Sequence, residues 1–211
     1  MGTPQSGSIA FDIDDRHRHV VGDGPRIQAL EGDSVDPQAL ALVNAVRAGA
    51  GAQPVAPDSV PDYMRTMMKH ADIFRCQMEM GTAIFTGRIP RRERELAVLR
   101  IGWLSRAPYE WGEHVDIAKR CGVTDAEVER ITRGSSAAGW SDHDRAIVRG
   151  VEELLADQAL SDETWNVLAQ SWDEAQLIEF PMMVGQYVAT AFVQNSLRIR
   201  LSHDNPGLSH R

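Results

Sequence analysis

Residues 61–201 form a succession of apolar segments with helical spacing, separated by short polar turns. Helix-starting signals mark the turns: Thr124 and Glu127 have the spacing of a capping box, and Ser141 and Asp173 precede further apolar segments. No convincing alternation of apolar and polar residues with a period of two, typical of strands, is found. The pattern therefore predicts an all-α fold.

Proline, glycine and capping residues set the expected boundaries. Pro108 ends the preceding helix, because the residue before a proline disfavours the helical conformation. We predict helices over residues 37–49, two within 61–85, then 91–106, 108–120, a short one after 124, 142–156, a short one after 161, and 174–201. This divides the chain into a partly irregular, loosely ordered N-terminal arm (1–35), a helix and linker (36–60), a helical domain (61–201) and a frayed tail (202–211).

Composition excludes several classes of partner. The net charge of -8 argues against binding to nucleic acid or to an anionic membrane surface. The apolar stretches are too short and interrupted to span a bilayer, and we expect no signal peptide. Two cysteines among 211 residues are typical of a reducing compartment, so we expect a cytoplasmic protein.

Two ionisable residues, Glu95 and His114, lie on the apolar sides of consecutive predicted helices. The short connection at residues 106–108 favours antiparallel packing, which would bring them together. Glu110 precedes His114 by one turn, so these two side chains project together. A carboxylate beside an imidazole raises its pKa and suits it to proton transfer. Proton transfer by this group is therefore our first hypothesis.

A purely structural interpretation stays open. A histidine on a helix is often a packing residue, and a Glu–His pair one turn apart is often only a surface pair. On the same helices, we expect Arg91, Arg92 and Arg94 to face outward.

Other residues are weaker candidates. A divalent metal is conceivable by ligand type at Asp12, Asp14, Asp15, His17 and His19, but we predict no metal site because the segment has no regular pattern. We expect His70 to cap a helix, Cys76 and Cys121 to be packing residues with Cys76 buried, and Gln186 and Tyr187 to lie in an apolar helix that can face a pocket.

Residues 92–131 resemble the carboxymuconolactone decarboxylase family, which includes the alkylhydroperoxidase D-like proteins. The similarity lies in RERELAVLR, Tyr109-Glu110-Trp111, His114 and AKRCGVTDAEVERI, and extends loosely over residues 61–201. Residues 1–60 lie outside it. The resemblance implies an alkylhydroperoxidase D-like helical fold and self-association as trimers or hexamers.

The resemblance also implies a choice between two chemistries. In the peroxidase branch, a Cys-x-x-Cys pair accompanies a glutamate and a histidine that match Glu95 and His114. The cysteine positions fall on Ala107 and Glu110, so this chain lacks the pair. Peroxide reduction needs a nucleophilic thiolate and a resolving thiol. A thiol-dependent peroxidase is therefore the less favoured expectation.

The decarboxylase branch needs no cysteine pair and no cofactor, because a conjugated substrate carbonyl accepts the electrons. The resemblance implies a cofactor-free acid–base enzyme for a small carboxylated, lactone or enolisable substrate, with His114 transferring protons, Glu95 orienting it and Glu110 tuning its charge. We expect the substrate to contact Arg100, Arg106, Tyr109, Trp111 and Tyr187, and either arginine could bind its carboxylate. The alternative is a non-catalytic oligomeric binding protein on the same scaffold.

Overall fold

A computed structural model describes residues 11–49 and 53–211, and within these ranges the chain forms ten α-helices and no β-strand. The predicted all-α class is confirmed. The helices are α1 (Ile13–Val21), α2 (Pro37–Gly49), α3 (Asp62–Met67), α4 (Ala71–Phe85), α5 (Arg91–Leu104), α6 (Pro108–Arg120), α7 (Asp125–Arg133), α8 (Asp142–Asp157), α9 (Asp162–Leu168) and α10 (Glu174–Leu197).

Capping residues start the helices where the sequence signals stand. Thr124 and Glu127 form a complete capping box on α7, and Asp173 forms another with Gln176 on α10. Ser141 accepts the third backbone N–H of α8. Each contact satisfies a backbone donor that the helix itself leaves free. The polar turns therefore determine where each helix begins, independently of tertiary packing.

Helix α5 is the centre of the main hydrophobic core. It packs against α6, α7, α8 and α10, so nearly its whole circumference is buried. Leu96 and Leu99 of α5 lie with Trp111, Ile147 and Phe180 from the surrounding helices. Such a position buries the α5 side chains from Arg94 to Trp103, including the charged ones.

A second, smaller core joins α2, α3 and α4. Its buried members are Val35, Val43, Val60, Met68, Phe74 and Met78. Helix α4 also contacts α10, which links this smaller core to the main one. The parts of the predicted arm and linker at residues 1–10 and 50–52 lie outside the described residues.

Both predictions for the ends of the chain need correction. The arm expected over residues 1–35 contains α1, which begins where the Asp12 side chain accepts the Asp15 N–H. The tail expected to fray over 202–211 packs onto α6: Leu208 is fully buried, and the amide of Asn205 donates to Tyr109 O. Contacts distant in sequence order the C-terminal segment, whereas α1 starts at a local cap between Asp12 and Asp15 that the sequence already contains.

None of the described helices combines the length and the apolar character needed to cross a bilayer.

Candidate active site

The turn between α5 and α6 brings Glu95 and His114 into direct contact. Arg106 in this turn adopts a left-handed conformation, with φ of 49°, and the chain reverses direction over a few residues. Glu95 Oε2 then lies 2.7 Å from His114 Nδ1. Glu95 is fully buried, whereas the His114 side chain keeps 12% of its surface exposed. The proximity predicted from the short connection is therefore observed.

Glu110 lies at the other nitrogen of the same imidazole. Its Oε1 is 3.2 Å from His114 Nε2, and its Oε2 accepts a hydrogen bond of 2.6 Å from the Gln194 amide on α10. Since an ionised carboxylate has no donor, Gln194 must present its NH₂ group to Glu110. The Gln194 Oε1 atom is buried and has no hydrogen-bond partner among the described residues. Gln194 thus holds one face of the site in place.

Arg94 belongs to the site, contrary to the expectation that it faces outward. Its side chain is only 1% exposed, and its Nε donates to Glu95 Oε1 at 2.9 Å. Nη1 donates to Phe85 O at 2.8 Å, and the guanidinium lies over the Phe85 ring. The outward prediction also fails for Arg92, which pairs with Glu127 and Asp144. Helix α5 is buried on nearly all sides, so it offers little outward face.

The charges of Arg94, Glu95, Glu110 and His114, which we call the charged group, compensate one another. Arg94 and protonated His114 supply two positive charges against the carboxylates of Glu95 and Glu110. Burial lowers the pKa of His114, but Glu95 and then Glu110 outweigh burial and raise that pKa to about 10. Burial likewise raises the pKa of Glu95, but His114 and then Arg94 bring it below its usual value. His114 is therefore an imidazolium at neutral pH.

Aromatic and amide groups extend the site along α10. The Tyr187 ring meets the His114 ring edge-on, with centroids 5.3 Å apart. Thr190 follows one turn later, and its hydroxyl lies 3.3 Å from the Gln77 amide, which also contacts the Tyr63 hydroxyl. We call Tyr63, Gln77, Thr190 and Gln194 the polar belt. It places neutral donors and acceptors beside the charged group.

The polar belt was not predicted from the sequence, although α10 carries a signal for part of it. Tyr187, Thr190 and Gln194 recur at intervals of three and four along an otherwise apolar helix, so they share one face. Polar residues on a buried helix face are uncommon unless they are paired or used. No such signal marks Tyr63 or Gln77, because their helices meet α10 only in the folded chain.

Three of the five predicted substrate-contacting residues lie elsewhere. Arg100 pairs with Glu152 at 2.8 Å and donates to Ile131 O, because it lies more than a turn beyond Glu95 and on another side of α5. Arg106 contacts the Phe11 ring. Trp111 is a core residue whose indole N–H donates to the carbonyl of the C-terminal segment at residue 210.

Of the remaining two, Tyr187 contacts the ring of His114, and Tyr109 is buried with its ring 6.1 Å from that of Tyr63 in the polar belt. Burial, with Glu113 second, raises the pKa of Tyr109, and burial followed by Glu95 raises that of Tyr187. Both phenols therefore stay protonated and neutral at physiological pH.

The cysteines do not form part of a redox pair. Cys76 is exposed, contrary to the expectation of burial, because it lies two positions after Phe74 and turns away from the core side of α4. Cys121 follows α6, and burial, followed by the nearby Glu95 charge, raises the pKa of its thiol. A raised pKa disfavours the reactive thiolate.

The N-terminal acidic and histidine residues have separate contacts. Asp12 caps α1, and His17 Nε2 accepts the Leu208 N–H at 3.0 Å. Across residues 11–49 and 53–211, no group of three or more His, Cys, Asp or Glu side chains is arranged to hold a metal ion. His70 caps α4 by accepting the Ile73 N–H, as expected.

Comparisons with known proteins show which family and which folds the chain is similar to. A sequence model of the Carboxymuconolactone decarboxylase family matches residues 71–153, which include Glu95, Glu110 and His114. No curated protein sequence gives a significant match.

Solved structures show the same fold at low sequence identity. An uncharacterized peroxidase-related protein with an alkylhydroperoxidase AhpD core, from Ralstonia eutropha JMP134, superposes with a TM-score of 0.70 and 14% identity over 85% of this chain and 93% of that one. A variant of the debrominase Bmp8 bound to 2,3,4-tribromopyrrole superposes with a TM-score of 0.68 and 16% identity, over 85% of this chain and 92% of that one. An uncharacterized peroxidase-related protein from Silicibacter sp. TM1040 superposes with a TM-score of 0.66 and 12% identity, over 84% of this chain and 93% of that one. The chain therefore has the alkylhydroperoxidase D-like fold.

Proposed function

Since residues 71–153 match the sequence model of the carboxymuconolactone decarboxylase family, we propose that the protein is a cofactor-free acid–base enzyme. Its substrate is a small carboxylated, lactone or otherwise enolisable acid, and its reaction is decarboxylation or a related lyase or isomerase step. The observation that carries this proposal is the His114 imidazole held between two carboxylates and kept protonated. A protonated imidazole in such a place is a ready proton donor.

The proposed reaction begins with loss of carbon dioxide from the substrate. The bond from the carboxylate carbon breaks, and its electron pair passes into the conjugated carbonyl to give a dienolate. The His114 imidazolium then donates a proton to the remote carbon of that dienolate. Nε2 is the donor atom, since its 3.2 Å contact with Glu110 is longer than the 2.7 Å contact of Nδ1 with Glu95.

The two carboxylates restore the proton donor after each turnover. Neutral His114 beside Glu95 and Glu110 leaves the group one negative charge in excess, because only Arg94 then compensates them. His114 then takes up a proton from solvent, which restores the charge balance of the site. Each cycle consumes one carboxylated substrate and one proton, and releases carbon dioxide and the protonated product.

The polar belt is the part of the site that we assign to substrate recognition. Gln194 presents a free acceptor oxygen beside Glu110, and Gln77 connects Tyr63 and Thr190 on the same side. These neutral groups suit a hydroxyl or carbonyl of the substrate better than a second charge. Arg94 is the guanidinium nearest to the group: Nε donates to Glu95 and Nη1 donates to Phe85 O, while its buried Nη2 has no hydrogen-bond partner among the described residues.

A non-catalytic binding protein is the second candidate, and one observation favours it. Both ring nitrogens of His114 are already in contact with carboxylates, as in a purely structural ion pair. The exposed part of the His114 ring, which Glu95 lacks, favours the enzyme instead. The thiol peroxidase alternative is the weakest, given the raised pKa of Cys121 and the exposed position of Cys76.

The test is turnover of a panel of carboxylated lactones, β-keto acids and related enolisable acids, measured as carbon dioxide release. Reactions run in D₂O add a second readout, because the proposed protonation places one deuterium on the product carbon. His114→Gln removes the donor. His143→Gln is the matched control, since His143 forms a similar pair with Glu93, 3.2 Å apart, outside the site.

We expect turnover with at least one class of acid, lost by about 10²–10⁴-fold in His114→Gln and retained in the control. Equal turnover in both variants would remove His114 from the mechanism. If a panel member binds to the wild-type protein but is never turned over, the binding-protein function replaces the enzymatic one.

A further inference from the structure

A polar cavity lies at the C-terminal end of α10, where α1 and the segment after it cover this helix. Its volume is about 260 Å³, and Arg16, His19, Arg26, Asn195 and Arg198 are among its lining residues. The residues of the proposed active site are not among them. The cavity is therefore a separate feature of the surface.

Positive charge dominates this cavity. Arg16, Arg26 and Arg198 contribute three guanidinium groups, and no carboxylate lines it. In the described part of the chain, none of the three has a carboxylate oxygen within 4.0 Å, whereas ten other arginines do. A chain with 30 acidic and 22 basic residues has carboxylates in excess. Their absence here leaves a local positive potential.

Backbone carbonyls hold two of the guanidinium groups without neutralising them. Arg16 Nε donates to Arg106 O at 2.9 Å, and Arg26 Nη1 donates to Ser196 O at 3.1 Å. Each guanidinium has five N–H donors, so most stay available. The ends of α5 and α10 contribute about half a negative charge each, which leaves roughly two positive charges uncompensated.

Arg198 gives an independent indication of a missing partner. It ends α10 in a left-handed conformation, with φ of 55°. Its Nε is buried and lacks a hydrogen-bond partner among the described residues. A buried donor of a charged group costs free energy when it is unpaired, and an anion beside this guanidinium would offset part of that cost through its charge.

We propose that this cavity binds a small phosphate-bearing anion. A phosphate group offers several acceptor oxygens and close to two negative charges, which match a cavity lined by three guanidinium groups better than one carboxylate does. The cavity volume exceeds that of a phosphate alone, so it has room for a small organic part of the ligand. The site is distinct from the proposed active site and does not depend on the reaction assigned there.

Calorimetric titration with pyrophosphate, at constant ionic strength, tests the proposal on the full chain. We expect saturable binding that weakens at least about ten-fold in the Arg26→Gln, Arg198→Gln double variant. The matched control is Arg75→Gln, Arg133→Gln, which removes two charges from exposed arginines outside the cavity and should change the affinity less than about two-fold. Arg26→Gln alone, at an exposed position, keeps the test valid if the double variant is misfolded.

Three results would overturn the proposal. One is the absence of saturable heat at millimolar pyrophosphate. Another is equal weakening in the control variant, which would show a general effect of net charge. The third is tighter binding of citrate or malonate than of pyrophosphate with the same dependence on Arg26, which would make the cavity a carboxylate site.

Discussion

Glu95 Oε2 and His114 Nδ1 lie 2.7 Å apart at the interface of α5 and α6, and Glu95 is fully buried. A buried carboxylate is stable only when positive charge is close to it. Arg94 and His114 supply that charge, so the protonation of His114 is linked to the stability of the fold and to the proposed chemistry.

The first prediction concerns the protonation of His114. Its pKa is raised from 6.5 to about 10 in the folded chain. Because the folded state holds this proton more tightly than the unfolded state, the contribution to stability is full below about pH 6.5 and is lost as the pH rises towards 10. Urea unfolding at several pH values should show the decline. NMR titration of the ring should find His114 still protonated at pH 8, and a midpoint near 6.5 would contradict the prediction.

The second prediction concerns Arg94. Arg94→Ala leaves the buried Glu95 with one positive neighbour fewer, so we expect a loss of about 3–5 kcal/mol in unfolding free energy. The control is Arg91→Ala, an exposed position on the same helix, which should change stability by less than about 0.5 kcal/mol. Equal effects of the two substitutions in urea unfolding would show that Arg94 does not stabilise the buried Glu95 carboxylate.

The third prediction tests Gln194 as a positioning residue for Glu110. Gln194→Leu leaves Glu110 Oε2 buried without its 2.6 Å donor, which should cost about 1–3 kcal/mol in unfolding free energy. We also expect it to shift the NMR midpoint of the His114 titration, since Glu110 loses its fixed orientation. A purely structural Gln194 would lower stability and leave that midpoint unchanged.

The fourth prediction concerns self-association, which we propose occurs through α10. Ile178, Met182 and Phe192 are 68%, 52% and 65% exposed and lie on one side of this helix. Apolar side chains arranged in this way are typical of a subunit contact. Phe192→Glu should therefore reduce the assembly size in sedimentation velocity. Ile73→Glu on α4, at an exposed apolar residue outside this stripe, is the control, and an unchanged sedimentation coefficient in Phe192→Glu would exclude the α10 face.

The fifth prediction concerns the C-terminal segment. Leu208 is fully buried against the core, so Leu208→Ala should lower the unfolding free energy by about 2–5 kcal/mol. His203→Ala, at an exposed position in the same segment, should have little effect. Thermal or urea unfolding distinguishes them, and two equally mild variants would mean that the segment contributes little to stability.

The starts of helices α2 to α10 could be predicted from the sequence itself. Capping by Thr124 and Asp173 is a contact within three residues, and apolar spacing defines each helix locally. The Glu95–His114 contact was also predictable, because a short turn between two helices constrains them to pack side by side.

Only the tertiary structure decided which charged residues join the site and which leave it. Arg94 is buried with Glu95, while Arg100 pairs with Glu152, because α5 is surrounded by neighbours that supply different partners on each side. Gln194 reaches Glu110, 84 residues away in sequence, through the packing of α10 on α6. Periodicity reports which side of a helix is buried, but the identity of the neighbour that buries it is set by contacts between distant segments.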